Sequence, residues 1–297
     1  MKKTRKLIRR IRLALLFIWL LAFAFVFLMP TLLTVTNSFM SESELTSNYG
    51  AVLGDVGGGG SYMSEKVNLK YIPDMVSFDQ YVTVLFRSPE YLLKFWNSVL
   101  LTLPIMLGQM VIASFAAYGF YISRSRVKSV IFFAYIILML MPYQVTLVPN
   151  YLVSDSLGIL GSRWAILLPG IFTPLSVFIL TKSMRRIPSA VIESARLDGA
   201  GDFKIFYKIC LPMCSSAIYS VAILTFIDNW NMVEQVLILL DDPEKQPLSV
   251  FLYSINTGEV GIAFAASVVY MIPPVLLFLH GEENLVEGIA YSGSVKG

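Results

Sequence analysis

One histidine and two cysteines are all the imidazole and thiol that 297 residues supply. His280 closes an apolar run, and Cys210 and Cys214 sit four residues apart with no Cys or His neighbour at metal-ligand spacing. A disulfide across one helical turn is geometrically poor. Metal binding, thiol chemistry and His-dependent catalysis are therefore not expected, and an intramembrane enzyme lacks a nucleophile–base pair. Charge is scarce too: 14% of residues are charged, whereas a soluble globular domain carries about 25%. No GxxxxGK[ST] run occurs, so the chain has no phosphate-binding loop of its own. Gly57-Gly58-Gly59-Gly60 lacks the Lys-Ser/Thr and helix that such a loop needs, and reads as a flexible stretch.

What the chain has instead is apolar length. Apolar residues make up 56% of it, and they fall in runs close to the ~20 residues of helix that cross a bilayer core. Six runs qualify: Leu13–Val35, Trp96–Tyr121, Val130–Val148, Trp164–Lys182, Ala217–Leu240 and Ile262–His280. The fifth is interrupted by Asp228, Asn229 and Asn231. None alternates as barrel strands do. The expected fold class is all-α, a polytopic membrane protein of about six transmembrane helices.

Basic residues orient it. Lys2, Lys3, Arg5, Lys6, Arg9, Arg10 and Arg12 crowd the first twelve positions. A nucleic-acid arm would not be fused to a hydrophobic span, so no nucleic-acid partner is expected. The apolar run that follows is too long for a signal sequence and reads as a retained anchor. Arg124, Arg126 and Lys128 follow the second span, and Lys182, Arg185, Arg186, Arg196, Lys204 and Lys208 follow the fourth. The opposite side includes Asp241, Asp242 and Glu244. The positive-inside rule then predicts both termini in the cytoplasm. The expected organisation is a basic tail at 1–12, a first span at 13–35 and an extracytoplasmic loop at 36–95. A transmembrane core at 96–280 follows, with a cytoplasmic loop at 185–212, and then a cytoplasmic tail at 281–297.

That cytoplasmic loop is too long to be a mere connection. Its chemistry predicts two short helices about a hinge. Pro188 suits a first helical turn, Gly199 a left-handed helix end, Asp202 an N-cap, and Pro212 the start of span five. Within it, Glu193-Ser194-Ala195, Asp198-Gly199-Ala200, Ile209 and Leu211-Pro212 resemble the "EAA" loop of binding-protein-dependent ABC importer permeases. Ser194 stands where the family has a second Ala. Phe95-Trp96-Asn97-Ser98 is similar to the family's opening of span two. The tail from Val286-Glu287-Gly288 to Gly293-Ser294-Val295-Lys296-Gly297 resembles the carbohydrate branch, near the maltose-type second permease.

The resemblance implies a type I-like importer fold in the cytoplasmic (inner) membrane of a prokaryote, bathed by membrane lipid, and a chain that is not itself an enzyme. It implies a second permease subunit, an ATP-binding cassette ATPase dimer that holds the ATP and Mg, and an extracytoplasmic solute-binding protein. It makes the loop a coupling element, with Glu193, Ser194, Ala195, Asp198, Gly199, Ala200, Leu211 and Pro212 as its site residues. It also makes Gly293, Lys296 and Gly297 a second contact with the ATPase. The expected cargo is a sugar or oligosaccharide moved by alternating access. Another solute, such as glycerol phosphate or a peptide, stays open. An ion-coupled secondary transporter using Asp228 is the remaining alternative, though it would have no need of a docking loop. Polar residues in lipid are costly and mark pathways or partner helices. Tyr143, Gln144, Thr173, Asn229, Trp230 and Asn231 are the candidates for the solute route, with interhelical bonding as the competing role.

Overall fold

A computed structural model describes residues 2–53, 69–122, 125–255 and 259–293, with side chains for 10–49, 69–122, 125–255 and 259–282. The Gly57–Gly60 stretch lies outside the described residues. Among the described residues every regular element is helical, as a chain with no alternating segments requires.

In chain order the helices are α1 (Lys2–Asn37), α2 (Glu42–Leu53), α3 (Asp79–Val82), α4 (Pro89–Ile122), α5 (Arg126–Met139), α6 (Tyr143–Ser156), α7 (Trp164–Ile171) and α8 (Pro174–Met184). They continue as α9 (Ser189–Leu197), α10 (Asp202–Ile205), α11 (Leu211–Met213), α12 (Ser215–Trp230), α13 (Glu234–Leu239), α14 (Leu248–Tyr253) and α15 (Val260–Gly293). π-helical turns follow α3 at Thr83–Arg87 and α10 at Phe206–Cys210.

Four stretches are long and apolar enough to cross a membrane: Arg10–Asn37, Pro89–Ile122, Trp164–Met184 and Val260–Glu282. Two bent helix pairs are the further candidates. α5 and α6 meet at 104°, and the stretch Asp202–Met213 meets α12 at 75°. Four spans plus two bent ones give up to six.

Span three, expected as an unbroken run, is bent, and span five, expected to be interrupted by polar residues, is also broken; the breaks have local causes. In span three the chain leaves the helix at Leu140 and Met141, and Pro142 takes an extended backbone (ψ 135°). A proline cannot donate to a helix and disfavours helix before it. The 75° bend lies at Cys214, which leaves helical geometry (φ −105°, ψ 13°) between α11 and α12. Separately, α12 stops at Trp230 rather than running to Leu240, and Val233 breaks the backbone before α13. Span four is interrupted at Phe172-Thr173, where Thr173 is extended and Pro174 opens α8.

The chain divides into two compact units. Residues 1–91 and 254–270 form one, and 92–253 and 271–297 the other. In the first, Met40, Leu45 and Tyr49 form a small core with Leu33 and Phe264 packed on it. In the second there are two larger clusters. One joins Leu101 and Ile105 of α4 to Ala165–Leu167 of α7, Val236 and Leu239 of α13, and Val250 of α14. The other joins Ala113 and Ala117 of α4, Val177, Leu180 and Met184 of α8, and Val221 of α12 to residues of the 185–212 loop. Close helix approach accompanies the first cluster. A Cβ placed on Gly170 would stand 2.9 Å from Ile105 Cδ1, and one on Gly108 would stand 3.0 Å from Ile171 Cγ1.

Candidate functional site

The 185–212 loop is built outward from that second cluster. Pro188, with extended backbone (ψ 133°), precedes α9 as its N-cap rather than lying inside its first turn. Ile187 before α9 and Ile192 on its inner face are buried, and Ile205, Phe206 and Cys210 are buried beyond it. Phe206 stacks on Phe115 with ring centroids 4.8 Å apart and lies 5.1 Å from the ring of Tyr118. Tyr118 also donates from its hydroxyl to the Asp202 carbonyl at 2.9 Å. The loop is therefore pinned to α4 by ring packing and a hydrogen bond.

The Asp198-Gly199-Ala200 spacing has a geometric explanation. Gly199 has φ +78°, the left-handed conformation that glycine adopts without Cβ strain. Ala200 N–H donates to the Ala195 carbonyl at 2.9 Å, and Gly199 N–H to that of Arg196 at 3.0 Å. This paired pattern closes a helix end and satisfies its last carbonyls. Ala195 and Ala200, the two residues it draws together, both border the buried cluster. Asp198 is exposed. Asp202 does not cap α10, whose N-cap is Gly201. It begins that helix, and its carboxylate meets the Arg196 guanidinium at 3.3 Å.

The outer face is different. Glu193 and Ser194 are exposed, and Leu197, one turn after Glu193, is 90% exposed. Phe203 and Tyr207 are also exposed. An exposed charge and exposed apolar side chains on one anchored loop are what a protein contact surface needs. Leu197, Phe203 and Tyr207 were absent from the sequence reading, though their apolar character within a basic loop was a visible signal. Leu211 is half-buried and Pro212 exposed. Helix α11 ends beyond them at Cys214, and α12 starts there.

The polar residues of the bent spans are placed unequally. Tyr143 begins α6, and its hydroxyl is buried near the Glu234 carboxylate. Gln144 is exposed. Helix α6 packs on α13 and α7, so the breaks in spans three and five are brought together. Asn229 Nδ2 donates to the Thr225 carbonyl and Asn231 Nδ2 to that of Ile227, each at 2.8 Å, which ties both amides to their own helix. Thr173 is half-buried at the break in span four. Trp230 does not face an open surface: it is 1% exposed, stacked on Phe226 at 5.1 Å and edge-on to Phe95 at 5.8 Å. Its large ring fills the core instead of lining a route. Of the tail residues, Gly293 ends α15, and Lys296 and Gly297 lie outside the described residues.

The Phe95–Ser98 motif also acquires a role. Asn97 is fully buried, and its Nδ2 donates to the carbonyls of Glu244 (2.7 Å) and Gln246 (3.2 Å). Ser98 Oγ accepts from Leu248 N–H at 3.0 Å, and Lys94 Nζ donates to the Pro243 carbonyl at 3.1 Å. Arg163 reaches the same point from the loop before α7. One turn of α4 thus holds the whole 243–248 segment. That segment keeps its own ion pair, Lys245 to Asp242 at 2.8 Å, which holds the Asp242 carboxyl below the usual range.

Comparison with known families decides the assignment. Residues 81–280 match the model of the binding-protein-dependent transport system inner membrane component. The chain belongs to that family. An arabinooligosaccharides transport system permease of Halalkalibacterium halodurans is 24% identical to it over 287 residues, spanning 94% of this chain and 96% of the relative. A probable ABC transporter permease of Bacillus subtilis is 33% identical over 211 residues, 68% of this chain and 69% of the relative. A lactose transport system permease of Rhizobium radiobacter is 25% identical and spans 71% of this chain and 78% of its own. Among solved structures, a bacterial ABC transporter involved in import of the acidic polysaccharide alginate aligns with TM-score 0.76 and 21% identity. That alignment spans 92% of this chain and 96% of the other. The inner membrane component is thus an all-helical permease, and the matched region contains both the anchored α9 loop and the bent spans.

Proposed function

We propose that this permease imports a saccharide as one of two membrane subunits, driven by a separate ATPase dimer that seats on α9. The observation that carries the reading is the two-sidedness of α9. Ile192 is locked into the core formed with α4, α8 and α12, while Glu193, Ser194 and Leu197 stand outward. A rigid element with an unpartnered outer face transmits motion; a floppy loop does not. The chain has no phosphate-binding loop, so ATP and Mg belong in the partner.

In this reading both termini and the 185–212 loop face the cytoplasm. Glu193 pairs with a basic residue of the ATPase, and Leu197, Phe203 and Tyr207 supply apolar contact. Gly293, Lys296 and Gly297 form a second contact with the same partner. A solute-binding protein delivers cargo on the opposite side, where the Asn97-held segment offers a fixed surface. Relatives named for arabinooligosaccharides and lactose support a saccharide as cargo. Tyr143, Gln144, Thr173, Asn229 and Asn231 are the residues proposed to line its route. Aromatic faces and amides suit sugar rings and hydroxyls.

The test is co-purification of the chain with its ATPase, followed by binding-protein-stimulated ATP hydrolysis in proteoliposomes with arabinooligosaccharides, lactose and a peptide as competing cargoes. Saccharide-dependent stimulation supports the reading. Stimulation by peptide alone, or transport that persists without any ATPase, overturns it.

A further inference from the structure

Residues 69–78 carry a run of bare apolar side chains for which the transport cycle above has no use. Ile72 is 77% exposed and Met75 73%, and Leu69, Val76 and Phe78 are exposed as well. The segment is not free to drift. Ser77 N–H donates to the Phe39 carbonyl at 2.8 Å, and the Phe78 ring meets the Phe39 ring edge-on at 5.5 Å. Ser38 Oγ and the Tyr81 hydroxyl lie 2.7 Å apart, and Asp74 N–H donates to Glu44 Oε1 at 2.8 Å. Each of these ties leads to the few residues just past the end of α1 or to α2.

That location fixes the depth. The apolar run of α1 ends at Val35, and Phe39 lies four residues on. Helix α1 ends at Asn37, about 3 Å of helical rise past Val35, and Ser38 and Phe39 lie in the turn that follows. The polar interfacial layer on each side of a bilayer core is about 5–8 Å thick. Side chains of α1 from 10 to 28 are exposed within the chain, whereas those of 33–36 are half-buried and Asn37 and Ser38 are buried where the 69–78 segment is tied on. The polar neighbours of the exposed 69–78 residues are gathered elsewhere: Lys70 pairs with Glu44 at 3.0 Å and with Asp74. Apolar side chains in the headgroup–acyl boundary beside a charge-paired polar group are the pattern of an interfacial anchor.

We infer that residues 69–78 lie in the lipid–water interface at the Asn37 end of α1, with Ile72, Met75 and Val76 inserted among lipid headgroups and upper acyl chains. The partner is the bilayer itself. Attraction is apolar, so it does not depend on anionic lipid. The segment acts as a float that fixes the depth and tilt of α1 and the height of the 79–87 turn leading into α4.

The experiment places single spin labels at Ile72→Cys, Met75→Cys and Val76→Cys, with Thr46→Cys as an exposed reference. The assembled transporter is reconstituted in phosphatidylethanolamine–phosphatidylglycerol bilayers. Cys210 and Cys214 are fully buried, so they stay unlabelled in the native background, and a Cys210→Ala/Cys214→Ala background provides the second measurement. The ratio of molecular-oxygen to nickel-chelate collision is expected to be severalfold higher at 72, 75 and 76 than at 46. It should not change with the phosphatidylglycerol fraction. Ratios equal to that at Thr46 overturn the proposal. So does shielding that arises only on adding the purified solute-binding protein, or that persists in detergent from contact with the second subunit.

Discussion

The Arg163 guanidinium donates a 2.7 Å hydrogen bond to Asn97 Oδ1, across 66 residues of sequence. Asn97 uses its other atom, Nδ2, to hold two backbone carbonyls of the 243–248 segment. The amide is thus fully engaged: one oxygen facing a cation, one nitrogen facing two acceptors. Only an amide satisfies both sides at once. Asn97→Ala should destabilise the permease by about 1–3 kcal/mol, the usual cost of stranding buried partners. Asn97→Asp should not rescue it. The carboxylate keeps the Arg163 contact but has nothing to donate to Glu244 and Gln246. Thermal unfolding in detergent, with amide hydrogen exchange at 243–248, reads the outcome. Wild-type exchange in the Asp variant would show that the carbonyls are held by something else.

Substitutions on the two faces of α9 should separate folding from coupling. Glu193→Ala and Leu197→Ser remove exposed side chains and should leave thermal stability within about 0.5 kcal/mol. They should lower binding of the ATPase by about tenfold or more, which corresponds to 1.4 kcal/mol. Ile192→Ser should do the reverse in order: it costs the fold first, and ATPase binding falls as a result. Titrating the purified ATPase against each variant in nanodiscs distinguishes the cases. Tight binding by the Glu193→Ala/Leu197→Ser double variant would remove α9 as the docking surface.

Gly199 offers a backbone test at the same place. A Cβ there would meet nothing within 4 Å, so any loss on substitution reflects its positive φ and not crowding. Gly199→Ala should cost about 1–2 kcal/mol. Gly199→Asn should cost less, because asparagine tolerates the left-handed region, and Gly199→Val should cost the most. Unfolding midpoints ranked Gly, Asn, Ala, Val would bear this out. A flat series would mean that the α9 end is not held in this geometry.

Acid should loosen the Glu44 tether. The Asp74 N–H donated to its carboxylate, with Lys70 close by, holds the Glu44 carboxyl below its usual range, and the Lys70 ammonium is raised by Asp74 and Glu44. A carboxyl depressed on folding stabilises above its unfolded value and loses that contribution as pH falls through the folded one. A raised ammonium stabilises below its unfolded value and loses its contribution as pH climbs through the folded one. The tether is therefore firmest at neutral pH and weakens toward both extremes. Proteolysis within 69–78 should accelerate below about pH 4.5, and Glu44→Gln should abolish that acid dependence. Equal cleavage at pH 7 and pH 4 in the wild type would remove Glu44 from the tether.

The sequence carried much of this architecture because lipid imposes a simple rule. Runs of apolar residues long enough to cross are few, and they mark where the long helices lie. The α9 loop was legible for a related reason: Gly199 and Pro188 punctuate it, and its spacing matches a helix end. Other features were hidden. Pro142 marked a bend in span three, but not whether the helix would merely kink or turn through 104°. Trp230 stood among amides and looked like part of a polar route, yet packing against Phe95 and Phe226 decided its place. Asp202 had the composition of an N-cap, and Arg196 drew its carboxylate elsewhere. The bond from Arg163 to Asn97 joins distant residues whose pairing no local pattern announces.

The buried half of the α9 loop has a consequence for re-engineering. Ile187, Ile192, Ile205 and Phe206 belong to the same packed cluster as Leu180, Met184 and Val221 of α8 and α12. A loop transplanted whole from a relative would bring foreign anchors into a cavity shaped for these four. Retargeting the permease to another motor should instead exchange only the bare outer positions, Glu193, Ser194, Leu197, Phe203 and Tyr207. Under the proposed coupling role, the surface that would meet a partner and the buried anchors beneath it are separate parts, and a designer can change the first without touching the second.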